Sequence, residues 1–447
     1  MSHQDKDHAR INQQAVKDIF DRLLPDEITS IVRHGNATLE PIWLAAVAIV
    51  CWGWTKEDRL KDRVETACSV VASLFKSENS VSRQGLMKAL ASSGETLIEL
   101  IVSHFALQLS QFTGHWSNAG KVNLAVDGTK FAAPRTEANQ SAFSAVMNKK
   151  KRGKSYKKKS DKSKASSVQL LCTVFWHINT GLPFRWKIQG SNGSERVMAQ
   201  QMIDQLPVNV RLIGDAEYIG YPLWSAIITA KRSFLFRVGS NVKLLKNLGK
   251  LRFQDGFIYY WPQCEMHREE QPIVLRLIKL HTGKKAIYLV SNELDMTDQQ
   301  ASELYKQRWG IEVFFRSVKQ SCQRSKLCCG SPQNVITELN WTLLGVWIAM
   351  FAGNEALKSD GTAIKRLSPI KVMRAFYATI KGIAVHAKQV ELFIDCLSQA
   401  LLVDESERTS SKKSRDYPRK KKRRRCGKPK IATATQAQKQ KALAFNV

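Results

Sequence analysis

The stretch "VNLAVDGTKFAAP", residues 122–134, decides how the fold is read. From residue 10 to about 115 the apolar residues recur three and four apart. "NQQAVKDIFDRLL" (12–24), "ETACSVVASLFKS" (65–77) and "GETLIELIVSHFALQLSQF" (94–112) all predict helices. Ser80 or Ser82 is placed to cap a helix through "SVSRQGLMKALASSG", whose Arg83, Gln84 and Lys88 fit a groove reader as well as a plain bundle helix. At Val122 the pattern changes to an unbroken apolar run that stops at Asp127-Gly128, which predicts a strand ending in a turn.

Working outward, "VQLLCTVFWHINTGLPFRWKIQG" (168–190) predicts a hairpin turning at Asn179, Thr180 and Gly181. "SERVMAQQMIDQL" (194–206) is helical. "VRLIGDAEY" (210–218) is a second strand that stops at an Asp, and "YPLWSAIITAK" continues as helix into the strand "SFLFRVG" (233–239). This order implies a mixed sheet with helices on its faces, an α/β architecture. From about 240 to 290 the period is two, as in "FIYYW", "IVLRLIKL" and "KKAIYLVSN", which predicts a β-rich insertion. A long helix is expected over 295–322, with Thr297 and Gln300 forming a capping box, and further helices to about 402.

The chain has 447 residues and a net charge of +30, which calls for a polyanionic partner. Two runs, "KKKRGKSYKKKSDKSK" (149–164) and "KKSRDYPRKKKRRRCGKPK" (412–430), hold most of that excess and read as solvated, disordered segments able to bind phosphate backbones. Within the second, "RKKKRRR" (419–425) also fits a nuclear localisation signal. The N-terminus is polar, and the apolar runs "IWLAAVAIVCWGW" (42–54) and "WTLLGVWIAMFAG" (341–353) are too short to span a bilayer, so nucleic acid is favoured over a membrane surface. Nine cysteines without a CxxC pair are expected to be free thiols in a reducing compartment.

Three acids stand out by context. Asp127 and Asp215 each close an apolar strand, and ligands gather at the carboxyl ends of strands in such sheets. Glu312 lies in "YKQRWGIEVFFRSVKQ" (305–320). At about 100° per residue, Tyr305, Arg308, Glu312 and Lys319 project within roughly 60° of one another, beside an apolar sector of Leu304, Ile311, Phe314, Phe315 and Val318. Phosphodiester chemistry uses carboxylates to hold Mg²⁺ ions, and in so basic a chain a patch of acids facing DNA needs a cation to reverse its sign.

The spacing Y-x2-R-x3-E-x6-K, following two strand-end aspartates, resembles the catalytic signature of bacterial cut-and-paste DDE transposases of the insertion-sequence-Four superfamily. "LAVDGTKF", "LIGDAEYIGYPLW" and "FLFRV" resemble that family's first-aspartate strand, second-aspartate segment and insertion-opening strand. The resemblance covers about 120–340. It implies an RNase H-like fold interrupted by the β-rich insertion, and together with the periodicity and charge runs above it gives an expected organisation of five parts. These are 1–115, helical and DNA-end-binding; 116–240, the first catalytic part; 241–292, the insertion; 293–405, the C-terminal catalytic helices; and 406–447, a basic disordered tail.

The resemblance also implies catalytic and metal-binding roles for Asp127, Asp215 and Glu312, with two Mg²⁺ ions for which Mn²⁺ substitutes. It implies DNA contacts for Tyr305, Arg308, Lys319 and Arg237, and cleavage followed by strand transfer through a DNA hairpin. Trp261 is the leading aromatic to receive a flipped base, with Tyr260 and Trp224 behind it. The partners implied are double-stranded DNA, as terminal inverted repeats and as target, and a second copy of the chain in the synaptic complex, in a bacterial cytoplasm. Two other readings remain at this level: a metal-dependent nuclease without strand transfer, and a catalytically silent, transposase-derived DNA-binding protein.

Overall fold

The structure is a computed structural model, and it describes residues 3–30, 39–112, 114–143, 168–282, 285–320, 322–359, 361, 367–385, 391–399 and 426–446. The Lys-rich segment 149–164 and most of the second basic run, 412–425, lie outside the described residues.

The N-terminal helices are α1 (His3–Leu23), α2 (Pro41–Ile49), α3 (Leu60–Phe75) and α4 (Arg83–Gln111). Ser82 caps α4, its hydroxyl accepting the Gly85 N–H at 3.1 Å. After α2 the chain makes a π-helical turn, Val50–Trp54.

Ten strands form one sheet: β1 (Val122–Ala132), β2 (Gln169–His177), β3 (Leu182–Gly190), β4 (Val210–Gly214), β5 (Ser233–Val238), β6 (Lys243–Lys246), β7 (Phe257–Tyr260), β8 (Ile273–Thr282), β9 (Lys285–Ser291) and β10 (Lys430–Thr433). Their order is β10-β6-β7-β8-β9-β5-β4-β1-β2-β3. The half β3-β2-β1-β4-β5 has β2 antiparallel to β1, and β4 and β5 parallel to it, which is the RNase H-like arrangement. The hairpin turns where the sequence places it, with Gly181 at φ +73°. The β-rich insertion is not a separate body. Its last strand, β9, pairs antiparallel with β5, so β6 to β9 extend the same sheet.

The remaining helices are α5 (Glu137–Phe143), α6 (Glu195–Gln201), α7 (Tyr221–Thr229), α8 (Gln263–His267), α9 (Asp298–Gln307), α10 (Trp309–Gln320), α11 (Pro332–Ser359), α12 (Pro369–Ala384), α13 (Phe393–Ser398) and α14 (Gln436–Leu443). By length and composition α11 would cross a membrane, but 89% of its apolar window is buried inside the protein. It is the central core helix. Gly53 meets it at Gly345, where a Cβ on Gly53 would stand 2.7 Å from the Gly345 Cα, and the Trp54 indole donates to the Gly345 carbonyl at 2.8 Å. A buried Arg324 ties the same turn to the chain after α10, donating to the Trp52 carbonyl at 2.7 and 3.1 Å. One hydrophobic core therefore runs from Val16 to Leu397. The boundary expected near residue 115 is a change of secondary structure inside that core.

Two expectations need correction. The helix expected unbroken over 295–322 is two helices, α9 and α10, meeting at Arg308. There the Ile311 N–H bonds back three residues to the Arg308 carbonyl at 3.2 Å, a tighter turn made where Gly310 lies against the Trp176 ring. The capping box at Thr297 and Gln300 does form. Nor is the tail disordered over all of 406–447, because residues 426–446 fold. β10 pairs in parallel with the edge strand β6, and Thr435 and Gln438 make a capping box for α14. Ala434, Ala442 and Phe445 close a small second core over Leu245, Tyr259 and Trp261. These apolar residues lie past the basic run, in a stretch too short and polar to announce a docked element.

Candidate active site

The site begins with strand register. β1 and β4 are parallel neighbours with Val126 opposite Gly214, so Asp127 and Asp215, the next residues, sit side by side. The Asp127 Oδ1 accepts its neighbour's N–H, from Gly128, at 2.9 Å. The Asp215 Oδ1 accepts the Glu217 N–H at 2.9 Å and so caps a short 3₁₀ turn, Ala216–Tyr218. That turn drives Tyr218 into full burial, and the Trp224 indole holds it by donating to the Tyr218 carbonyl at 2.9 Å.

α10 brings the second half. A Cβ on Gly310 would lie 2.1 Å from a Trp176 ring carbon, so this helix approaches β2 only because residue 310 is glycine. Arg308 and Glu312 are thereby placed over Asp127. The Arg308 Nη2 donates to the Glu312 Oε1 at 2.9 Å, and its Nη1 lies 4.0 Å from the Asp127 Oδ2. Two of its N–H groups, at Nε and Nη1, are buried without a hydrogen-bond partner among the described residues. The guanidinium also lies over the Tyr305 ring, 5.6 Å from its centroid. Further along α10, the Lys319 ammonium donates to the Thr129 hydroxyl at 2.5 Å, two residues from Asp127 on the same face of β1.

Electrostatics mark Asp127 as short of positive charge. Burial, and then the Asp215 carboxylate beside it, push its carboxyl up to about 7. Arg308 opposes this only weakly, because the guanidinium is committed to Glu312 at the shorter distance. Burial acts against the charge on Arg308, but Tyr305, Glu312 and Asp127 outweigh it and raise its pKa. Burial lowers that of Lys319, against the pull of Cys172 and Asp127. Burial raises the Tyr305 phenol, with Arg308 and Arg237 pulling it down and Asp215 pushing up, so Arg237 of β5 lies within electrostatic reach of the site.

Seven of the eight residues expected from the sequence thus converge: Asp127, Asp215, Glu312, Tyr305, Arg308, Lys319 and Arg237. Trp261 does not. It is 4% exposed in the second core, its indole donating to the Glu270 carbonyl at 2.7 Å and its ring set edge-on to Phe445. Those contacts close it to a flipped base. Trp224 is fully buried as well, and Tyr260 packs on it at 4.7 Å.

Sequence reasoning missed Glu195. It opens α6, where an acid reads as ordinary first-turn helix chemistry. In the fold its carboxyl rests against Gly128, and the Tyr218 hydroxyl donates to its Oε2 at 3.3 Å. Burial, and then Asp215, raise its pKa. The available signal was Gly128 itself, since a glycine inside a strand marks a close approach.

The donor set suits a hard divalent cation: several carboxylates, partly buried, two of them sharing the Arg308 guanidinium. Among the described residues, the acid, thiol or imidazole group drawn within 4.8 Å is Cys328, Cys329 and Glu338, away from these strand ends. The Glu338 carboxylate there is already satisfied by the Cys328 and Cys329 N–H groups at 2.9 and 3.0 Å.

A family model described as "Transposase DDE domain" matches residues 118–348. A curated relative, the transposase InsG of insertion sequence element IS4 from Escherichia coli (strain K12), is 26% identical over 247 residues. That match takes in 52% of this chain and 51% of the relative, so the chain spans about half the length of the curated relative it matches. Among solved structures, a cryo-EM piggyBac transposase synaptic complex with hairpin DNA aligns at a TM-score of 0.38 and 15% identity, covering 86% of this chain and 84% of that one.

Proposed function

The chain belongs to the transposase DDE domain family, and from that premise we propose that it cleaves DNA at the ends of a mobile element and joins the freed 3′-OH ends to target DNA. The observation that carries this reading is the meeting of Asp127 and Asp215, at adjacent parallel strand ends, with Glu312 and Arg308 from α10. Asp127, Asp215 and Glu312 would hold two divalent ions, Mg²⁺ with Mn²⁺ as substitute, which when bound supply Lewis acidity and a more acidic attacking water.

The protein's own groups then have separate tasks. Arg308 already grips Glu312 through Nη2, and its Nε and Nη1, buried and without a hydrogen-bond partner among the described residues, are left to donate to the DNA backbone along separate edges of the guanidinium. Lys319 adds a positive charge further along the strand, and Arg237 another from β5. Tyr305, held under the guanidinium, offers its hydroxyl to a terminal phosphate. In-line attack by water and then by the 3′-OH are both phosphoryl transfers, so one set of residues serves both, with a DNA hairpin as the intermediate between them.

The partners on this reading are the element's terminal inverted repeats, the target duplex and a second copy of the chain, in a bacterial cytoplasm and without a membrane. The test is excision from a donor plasmid carrying the gene with its flanking DNA, comparing wild type with Glu312→Gln. Excision by wild type and none by the variant is the expected result. Equal excision by both would remove Glu312 from the site. Silence of both, with flanking-DNA binding retained, would favour a binding protein without chemistry.

A further inference from the structure

We propose that Glu195 is a fourth carboxylate of the metal site, reaching Asp127 and Asp215 from the sheet face opposite Glu312; this rests on the metal-dependent reading above. Neighbouring residues of a strand face opposite sides. Asp127 faces α10, as its Arg308 contact shows, so Gly128 faces the other layer. Its β2 partner Thr173 confirms this, since the Thr173 hydroxyl contacts the Met198 sulfur of α6. Where a side chain at 128 would begin, the Glu195 carboxyl stands instead: its carbon is 2.2 Å, and both oxygens 2.5 Å, from the ideal Cβ position. The carboxyl therefore lies against the backbone one residue beyond Asp127.

It is also tied to the second aspartate. Tyr218, three residues after Asp215, is fully buried and spends its hydroxyl on the Glu195 Oε2. The other oxygen, Oε1, takes no hydrogen bond and no ion pair from the described residues. A carboxylate pinned on one oxygen, free on the other and crowded by like charges has Lys130 at electrostatic range but no ion pair among the described residues. A salt-bridge role leaves this arrangement unexplained, because no cation among the described residues pairs with Glu195, and Arg308 serves Glu312 and Asp127 on the far face. The oxygens of Asp127, Asp215 and Glu195 are not all within 4.8 Å of one another, so an ion bound at the two strand ends would draw the three together.

The experiment is calorimetric Mn²⁺ titration of the full chain, with thermal melting to show that each variant is folded. The variants are Glu195→Gln, Glu312→Gln and Gly128→Ala. The last leaves every charge in place and pushes the Glu195 carboxyl away, a small demand on the fold because only the end of a flexible side chain must move. Glu195→Gln and Gly128→Ala are each expected to weaken Mn²⁺ binding by about tenfold or more, as loss of a supporting group does at metal sites. Wild-type affinity in both, with Glu312→Gln weakened, would overturn the Glu195 assignment and leave the three-acid site standing. No Mn²⁺ binding by the wild type would overturn both.

Discussion

Replacing Gly310 by alanine tests whether the contact between α10 and Trp176 sets the geometry of the site. The new Cβ would lie 2.1, 2.7 and 3.0 Å from three carbons of the Trp176 ring, where ordinary contact begins at 3.4 Å. The nearest pair is about 1.3 Å too close, and Trp176 is itself buried, so the helix must lift by about an ångström. Overpacking of this kind costs about 1–3 kcal/mol, and alanine's better helix propensity returns up to about 1 kcal/mol. The net loss of about 0–3 kcal/mol leaves the protein folded.

Activity should suffer more. Lifting α10 withdraws Arg308 and Glu312 together from Asp127, and a misplacement of about 1 Å costs on the order of 10² in rate. The assay is single-turnover cleavage of the element's own end sequence, run beside urea unfolding of the same preparation. Gly310→Ala is expected to lose roughly a hundredfold in cleavage at nearly wild-type stability. Trp176→Phe, added to it, removes the offending part of the ring and should recover much of the loss. Cleavage by Gly310→Ala within about threefold of wild type would refute the claim that this contact places the acids.

Two further outcomes are expected. His177 is fully buried and neutral, with Nδ1 facing the Thr180 hydroxyl and Nε2 facing the Trp116 carbonyl, and burial lowers its pKa from 6.5 to about 4. The unfolded chain binds the proton first, so stability is complete above about 6.5 and falls as the pH drops towards 4; melting temperatures for His177→Gln should show a shallower fall across that window, and an identical slope would remove His177 as a cause. Deleting residues 428–447 strips β10 and α14 from β6 and uncovers Trp261, so backbone hydrogen exchange over 243–261 should quicken by an order of magnitude or more, and unchanged exchange would mean that the tail does not hold this edge.

Much of the site was legible because its residues sit where local rules are strong. An acid that stops an apolar strand announces itself, and helical periodicity puts Arg308, Glu312 and Lys319 on one edge without any knowledge of the partner. Trp261 misled because an aromatic in a period-two stretch looks the same whether it faces solvent or a core; only the returning tail covers it. That tail was hidden in turn, since its charge is a property of composition and its docking depends on an open edge at β6 that no local pattern reveals.

By itself, the sequence determined most of the strands up to β9 and the helices that flank them, the acids that close β1 and β4, and the polar edge of α10, because hydrophobic period and turn chemistry act over a few residues. The tertiary structure alone decided that β6 to β9 extend the sheet of β1 to β5, that β10 pairs on its edge, and that Glu195 comes to rest on Gly128. These depend on edge pairing and on close approach between segments far apart in the chain, where the partner, and not the local residues, supplies the free energy.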